Sequence, residues 1–167
     1  MSFQIIVCVN KKKCIGKDNG LLCYLPSDLK NFKKLTTNNV VVMGRKTFQS
    51  LPSGALPNRE NIVITHDLDF NAPNVISIHS VEECVSYCKE NLSEKEIFII
   101  GGGSIYAEFL ERGMVDKINM TISDNLMDGD VYFPTLNEDE WVKKECEREF
   151  FDERDECDYK IFTYERK

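Results

Sequence analysis

Asp28 stands where a charge needs a reason. It lies in GLLCYLPSDLKNFKKL, residues 20–35, a largely apolar run. Pro26 suits the first position of a helix, so Asp28 falls in the first turn. A carboxylate there favours the helix dipole, which is one sufficient reason for its presence. The other is acid–base chemistry by a carboxylate among apolar neighbours. Cys23 precedes Asp28 by five positions, with no cation in Leu21, Leu22 or Tyr24 to lower a thiol pKa. Cys23 therefore reads as a small apolar pocket residue and not as a nucleophile.

Other stretches present groups that suit an anion. IFIIGGGSIY passes from strand to helix through Gly101, Gly102 and Gly103. Glycines let backbone approach a phosphate, and a helix start offers unpaired N–H groups. A plain tight turn would use the same glycines. The Rossmann fingerprint is excluded, because its sixth position is Tyr106. VVVMGRKTFQS ends a strand at Gly44 and opens a short helix with Arg45, Lys46 and Thr47, two cations and a hydroxyl fit for a polyphosphate. A solvated basic turn is the alternative. A P-loop is excluded, since the earlier glycine is missing. NIVITHD brings Thr65 and His66 to a third strand end. Cys84 and Cys88 are one helical turn apart and fit an apolar stripe better than a metal site. His79 reads as a surface residue, and no serine or cysteine nucleophile has an identifiable base.

The elements that must position these groups alternate. FQIIVCVN (3–10), VVVMG (40–44), NIVIT (61–65), VISI (75–78) and IFII (97–100) are nearly continuous apolar runs, as strands buried on both faces require. Between them lie helical patterns: Leu29, Phe32 and Leu35 after Pro26; Val81, Cys84, Val85, Cys88 and Leu92; and Ile105 and Phe109, stopping at Gly113. This order predicts an α/β fold of three layers, with a mostly parallel sheet covered by helices on both faces. KINMTIS, WVKKECEREFF and YKIFTYE are strand-like without intervening helices, so they should close one sheet edge as an antiparallel hairpin. In open α/β sheets ligands gather beyond the carboxyl ends of the strands, where the glycine motifs lie. With no linker or repeat, residues 1–167 are expected to form a single domain.

Composition narrows the function. The net charge is −7, with acid concentrated at 138–140 and 152–158. That argues against nucleic-acid partners but leaves room for an anionic small ligand in a local basic pocket. The seven cysteines are odd in number and show no paired spacing, so no disulfide framework and a reducing, cytoplasmic setting are expected. No apolar run is long enough for a bilayer helix, and no targeting segment is read.

Together, IIVCVN, IGKDNGLL, LPSDLKNFK, VVMGRKTFQSL, LPNRENIVIT, IIGGGSIY, MTIS and GDVYFP resemble the dihydrofolate reductase family, in its order and close to its spacing. The resemblance covers nearly the whole chain. It implies a twisted eight-stranded sheet with an antiparallel C-terminal edge. It also implies NADPH-dependent reduction of 7,8-dihydrofolate to 5,6,7,8-tetrahydrofolate, a step that supports one-carbon metabolism and thymidylate synthesis. Dihydrofolate and antifolate-type molecules would be its ligands, and a monomer is expected.

The same resemblance assigns residues. Asp28 would hydrogen-bond the pterin amino group and ring nitrogen and support protonation of N5, backed by the Thr121 hydroxyl. Ile6, Val7, Leu29, Phe32, Leu51, Leu56 and Ile100 would wall the substrate, and Arg59 would grip its glutamate carboxylate. Arg45, Lys46, Thr47, Thr65 and His66 would hold the NADPH phosphates. Gly101, Gly102, Gly103, Ser104, Ile105 and Tyr106 would lie beneath pyrophosphate and nicotinamide, with a cis peptide between the first two glycines. Cys8, Ile15, Gly16, Leu21 and Gly44 would complete the cofactor site, and residues 15–25 would form a mobile loop over the nicotinamide. No metal is implied. Two departures stand out. Leu22-Cys23-Tyr24 replaces the family's Leu-Pro-Trp, removing an indole that holds a water near the acid. Ser104 replaces a common arginine. Rival readings are a related pteridine or flavin-precursor reductase, against which LPSDL with Arg59 argues, and a ligand-binding module without activity.

Overall fold

The computed structural model describes residues 2–17 and 20–167, with only the backbone of Lys17, Gly20 and Leu21. In chain order the strands are β1 (Phe3–Asn10), β2 (Cys14–Lys17), β3 (Gly20–Leu21), β4 (Val40–Gly44), β5 (Glu60–Ile64), β6 (Val75–Ile78), β7 (Ile97–Gly101), β8 (Lys117–Ser123), β9 (Val131–Tyr132), β10 (Trp141–Cys146) and β11 (Tyr159–Arg166). The helices are α1 (Pro26–Thr36), α2 (Arg45–Ser50), α3 (Val81–Asn91) and α4 (Gly103–Glu111).

The main sheet has eight strands in the order β10-β11-β8-β1-β7-β4-β5-β6. Its pairs are parallel from β8 through β6. Strand β11 runs antiparallel to both β8 and β10, which places the expected C-terminal hairpin at the edge. Alternation of side chains across a strand explains the three layers. Val40 and Val42 of β4 join the larger core cluster with Cys84 and Cys88 of α3 and Phe109 of α4. Val41 and Met43 face the other way, against Val63, Phe32 of α1 and Phe48 of α2. Each fully buried side chain of this size contributes roughly 1.5–3 kcal/mol to folding. A continuous apolar run is thus what a doubly covered strand requires, and Cys84 and Cys88 are core residues, both fully buried.

Two expectations need correction. The segment WVKKECEREFF is not one strand: β10 stops at Cys146, because Arg148 turns inward to Tyr159 and Asp155. The stripe Leu29-Phe32-Leu35 on α1 lines a cleft, with Leu29 47 % exposed and Phe32 also packed on the smaller core cluster. Finally, Cys23 and Cys157 are joined by a disulfide across 134 positions, with Cα atoms 7.0 Å apart. Spacing rules could not reveal this pairing, since only the fold brings the two segments together. The small sheet β3-β2-β9 was not foreseen either; its strands are too short to carry a periodic signal.

Candidate active site

Strands β1, β8 and β11 build the floor of the cleft by register. Cys8 of β1 is level with Thr121 of β8, and Thr121 with Ile161 of β11. Two positions back, Ile6 is level with Asn119. All five line the cleft, as the two-residue strand period requires. Helix α1 forms one wall through Asp28, Leu29, Asn31, Phe32 and Leu35, and Ile100 and Tyr106 close another side. Val7, Ile15, Cys23 and Leu25 complete the lining. Asn119, Asn31, Leu35, Leu25 and Ile161 had not been singled out as site residues. Asn119 and Ile161 could have been found from Thr121, by the strand period and by strand pairing.

Among the described residues, Asp28 is the only carboxylate in this lining. Thr121 Oγ1 donates to Asp28 Oδ1 at 2.8 Å, so the hydroxyl expected to back the acid does touch it. Burial pushes the Asp28 pKa above the usual carboxylate value, against the opposing effects of the Thr121 hydrogen bond and the Arg148 charge, while Asp155 adds to the rise. Burial and the Asp28 charge push the Cys8 thiol up to about 12, so it stays protonated and inert. Tyr106 donates its hydroxyl to the Ile6 carbonyl at 2.9 Å, tying α4 to β1 beneath the cleft.

Leu51, Leu56 and Arg59 lie outside this lining. Leu51 and Leu56 pack on the smaller core cluster beside Phe32 and Ile100. Leu56 and Arg59 instead line a neighbouring groove with Asn38, Pro57 and Lys95. Arg59 Nη1 donates to Thr36 Oγ1 at 3.0 Å, and Nε to the Pro57 carbonyl at 2.9 Å. Thr36 ends the helix that Asp28 begins. Asp28 and Thr36 are eight positions apart, which is about 12 Å of helix rise. Acid and guanidinium therefore mark the two ends of one helix.

The glycine-rich turn lies across the cleft from α1. The peptide joining Gly101 to Gly102 is cis, and Gly101 has φ +132°, a conformation that L side chains rarely adopt. A Cβ on Gly101 would stand 3.5 Å from Thr47 Oγ1, and one on Gly102 3.6 Å from it. The start of α2 and the start of α4 thus meet, with Arg45 and Lys46 exposed beside them. No side chain caps α4, so N–H groups of its first turn lack side-chain acceptors. Uncapped amides, glycine backbone, a hydroxyl and two exposed cations are a donor set that fits a pyrophosphate and an added phosphate. Arg45 lies 3.5 Å from Asp67 in an exposed pair, which an anion can displace at small cost.

The remaining expected cofactor residues spread from this point. Gly44 ends β4, and Ser104 and Ile105 belong to the first turn of α4. Gly16 lies on β2 opposite Leu21, whose side chain lies outside the described residues. Thr65 and His66 follow β5. His66 is exposed, whereas His79 is half-buried and its Nδ1 lies 2.8 Å from the Thr65 carbonyl. His79 is therefore a brace for the Thr65 turn and not a plain surface residue. Residues 18 and 19 of the expected loop 15–25 lie outside the described residues. Among the described residues, no cluster of His, Cys, Asp or Glu is gathered for a metal ion.

A model of the dihydrofolate reductase family matches residues 2–166. The chain belongs to the dihydrofolate reductase family. It is 36 % identical over 166 residues to the dihydrofolate reductase of Staphylococcus haemolyticus, covering 99 % of this chain and 96 % of that one. It is 37 % identical over 167 residues to that of Haemophilus influenzae, covering both chains fully. A solved dihydrofolate reductase from Enterococcus faecalis, complexed with NADP(H) and RAB-propyl, superposes with a TM-score of 0.86 at 31 % identity, covering 99 % of this chain and 96 % of that one. As a dihydrofolate reductase, the chain is an NADPH-dependent oxidoreductase that reduces 7,8-dihydrofolate to tetrahydrofolate in one-carbon metabolism.

Proposed function

We propose that Asp28 is the catalytic acid of this reaction and that the cleft between α1 and the β1–β8–β11 floor holds the pterin. The observation that carries the proposal is the Thr121-to-Asp28 hydrogen bond inside an otherwise mostly apolar cleft. NADPH, when bound, supplies the hydride, so no protein nucleophile is required. The protein must align two rings, exclude water and manage one proton. Asp28 orients the pterin through its amino group and ring nitrogen. Burial raises its pKa above the ordinary carboxylate value, which favours its protonated form beside N5 relative to a solvated acid. Ile6, Val7, Leu29, Phe32 and Ile100 provide apolar wall. Leu51 and Leu56 border the path toward Arg59, which takes the glutamate carboxylate. An acid and a cation at opposite ends of α1 suit a ligand with a ring head and an acidic tail, and favour dihydrofolate over a tail-less pterin.

Gly44, Arg45, Lys46, Thr47, Thr65, His66, Gly101, Gly102, Gly103 and Ser104 would hold the phosphates of NADPH. Cys8, Ile15, Gly16, Leu21, Ile105 and Tyr106 would surround its nicotinamide. We further propose that residues 1–167 act as a single domain and as a monomer, in the cytoplasm and without nucleic acid as a partner. The net charge of −7 supports the last point. Among the described residues no helix is long and apolar enough to cross a membrane.

The test follows NADPH consumption with dihydrofolate across pH. Asp28→Asn should lose roughly two orders of magnitude in rate or more. Part of the loss should return at low pH, where dihydrofolate is itself more protonated. An Asp28→Asn enzyme with the original rate would remove Asp28 from the chemistry.

A further inference from the structure

Helix α1 has no cap of its own. Its N-cap residue is Leu25, which carries no side-chain acceptor, and Pro26 follows. The first-turn N–H groups of a helix need partners from outside it. The N–H of Ser27, next to Asp28, finds one 128 positions away. Asp155 Oδ1 accepts from Ser27 N at 3.0 Å, and Oδ2 accepts from Ser27 Oγ at 2.6 Å. Asp155 belongs to the connection between β10 and β11, and its side chain is only 9 % exposed.

Arg148, on the same connection, holds that carboxylate. Its Nη2 lies 3.4 Å from Asp155 Oδ2 and 3.4 Å from Ser27 Oγ. The guanidinium carbon stands 3.6 Å from the centre of the Tyr159 ring, whose hydroxyl is 2.6 Å from Ser27 Oγ. The Arg148 side chain is 15 % exposed, and its Nε is buried with no hydrogen-bond partner. Apolar packing of similar volume is often as stable as such an ion pair or more so. Stability alone is thus a weak reason for opposite charges beside the residue that precedes Asp28.

We propose that Arg148 and Asp155 are a positioning pair for Asp28, in which Asp155 caps α1 from across the chain at the residue before Asp28 and Arg148 braces that cap from the same connection. The pair rests on Asp28 being the acid of the pterin site. Neither residue lines the cleft, so both act through Asp28. Among the described residues, the ionisable groups around Asp28 are Cys8 from β1, Arg148 and Asp155 from the connection, and Tyr159 from β11, while Arg148 also pairs at its outer side with the exposed Asp158 at 3.0 Å. Cys8 and Tyr159 are both pushed upward, first by burial, and stay neutral near pH 7. Arg148 and Asp155 are therefore the charged members. Arg148 draws the Asp28 pKa down, and Asp155 drives it up.

The experiment measures single-turnover hydride transfer from NADPH to dihydrofolate against pH, with melting temperature as a check on folding. The chains compared are the parent, Asp155→Asn, Arg148→Gln, Arg148→Lys and Asp28→Asn. Removing the Asp155 charge should move the midpoint of the rate profile to lower pH. Removing the Arg148 charge should move it to higher pH. Each shift should reach at least about half a unit. Arg148→Lys should restore the parent midpoint, because it restores the charge. A merely structural cap would lower stability in both variants without opposite shifts. Shifts in one direction, or none in folded variants, overturn the pair. Should Arg148→Gln fail to fold, Asp155→Asn against Arg148→Lys decides alone: a lower midpoint supports the pair and an unchanged one overturns it. If Asp28→Asn itself keeps the parent rate, the underlying site reading fails instead.

Discussion

Asp28 is held in an environment that opposes its charge. Burial raises its pKa, so the ionised form is disfavoured in the folded chain relative to the unfolded one. An acid with a raised folded pKa contributes full stability below its unfolded pKa and loses it as pH rises through the folded value. At neutral pH the carboxylate is therefore a destabilising group. Asp28→Asn should raise the melting temperature at pH 7 while abolishing most activity, and the gain should shrink as pH falls toward the ordinary carboxylate range. Thermal melts of the two chains from pH 4 to 8 check this; a variant less stable at every pH contradicts it.

Arg59 makes a second argument at this scale. Its Nη1 and Nε already serve Thr36 and Pro57, which fixes the plane of the guanidinium. A planar fork can grip a carboxylate with two parallel bonds, and lysine cannot copy that. Arg59→Lys should raise the KM for dihydrofolate, and weaken antifolates that carry glutamate, by about tenfold, roughly the worth of one charge-assisted hydrogen bond. Diaminopyrimidines without that tail should bind nearly as before. Equal losses for both inhibitor classes would place the carboxylate elsewhere.

The elements act in pairs across the sheet. Thr47 at the start of α2 meets Gly101 and Gly102 before α4, so two separate strand ends share the one corner proposed to hold the cofactor phosphates. Arg45 and Lys46 add charge beyond what a ribose hydroxyl requires. Arg45→Ala should therefore weaken NADPH binding several-fold more than NADH binding, as read by fluorescence titration of the two cofactors. Equal losses would mean that Arg45 serves the shared pyrophosphate and not the additional phosphate. The glycine turn and the basic turn were both legible as motifs, because close backbone approach and local charge leave marks on adjacent residues. Their meeting was not, since nothing in either stretch encodes the register of β4 against β7.

At the scale of the whole molecule, the Cys23–Cys157 bridge ties the approach to α1 to the β10–β11 connection, alongside the hydrogen bond from Glu156 N to the Tyr24 carbonyl. Five cysteines remain free: Cys8, Cys14, Cys84, Cys88 and Cys146. The purified, oxidised chain should thus show five thiols on denaturation, and seven after reduction, with a lower melting temperature when reduced. Cytoplasmic thiols are kept reduced. Alkylation at the moment of cell lysis should accordingly count seven, and a count of five would overturn the cytoplasmic assignment.

The sequence by itself determined the layers and the strand and helix order, and marked Asp28 as the candidate acid, because these follow from local periodicity and from residue types that sit close together along the chain. Pro26 begins α1, and Asp28 falls in its first turn, as the residues require. Even the partner hydroxyl, Thr121, was reachable through the family resemblance and is found 2.8 Å away. Tertiary structure alone decided how segments more than a hundred positions apart meet. It joined Cys23 to Cys157, turned Arg148 inward to end β10 early, and brought Asp155 to cap a helix that cannot cap itself. Periodicity specifies which residues share a face. What that face meets depends on the closure of the whole sheet, and no local pattern carries that information.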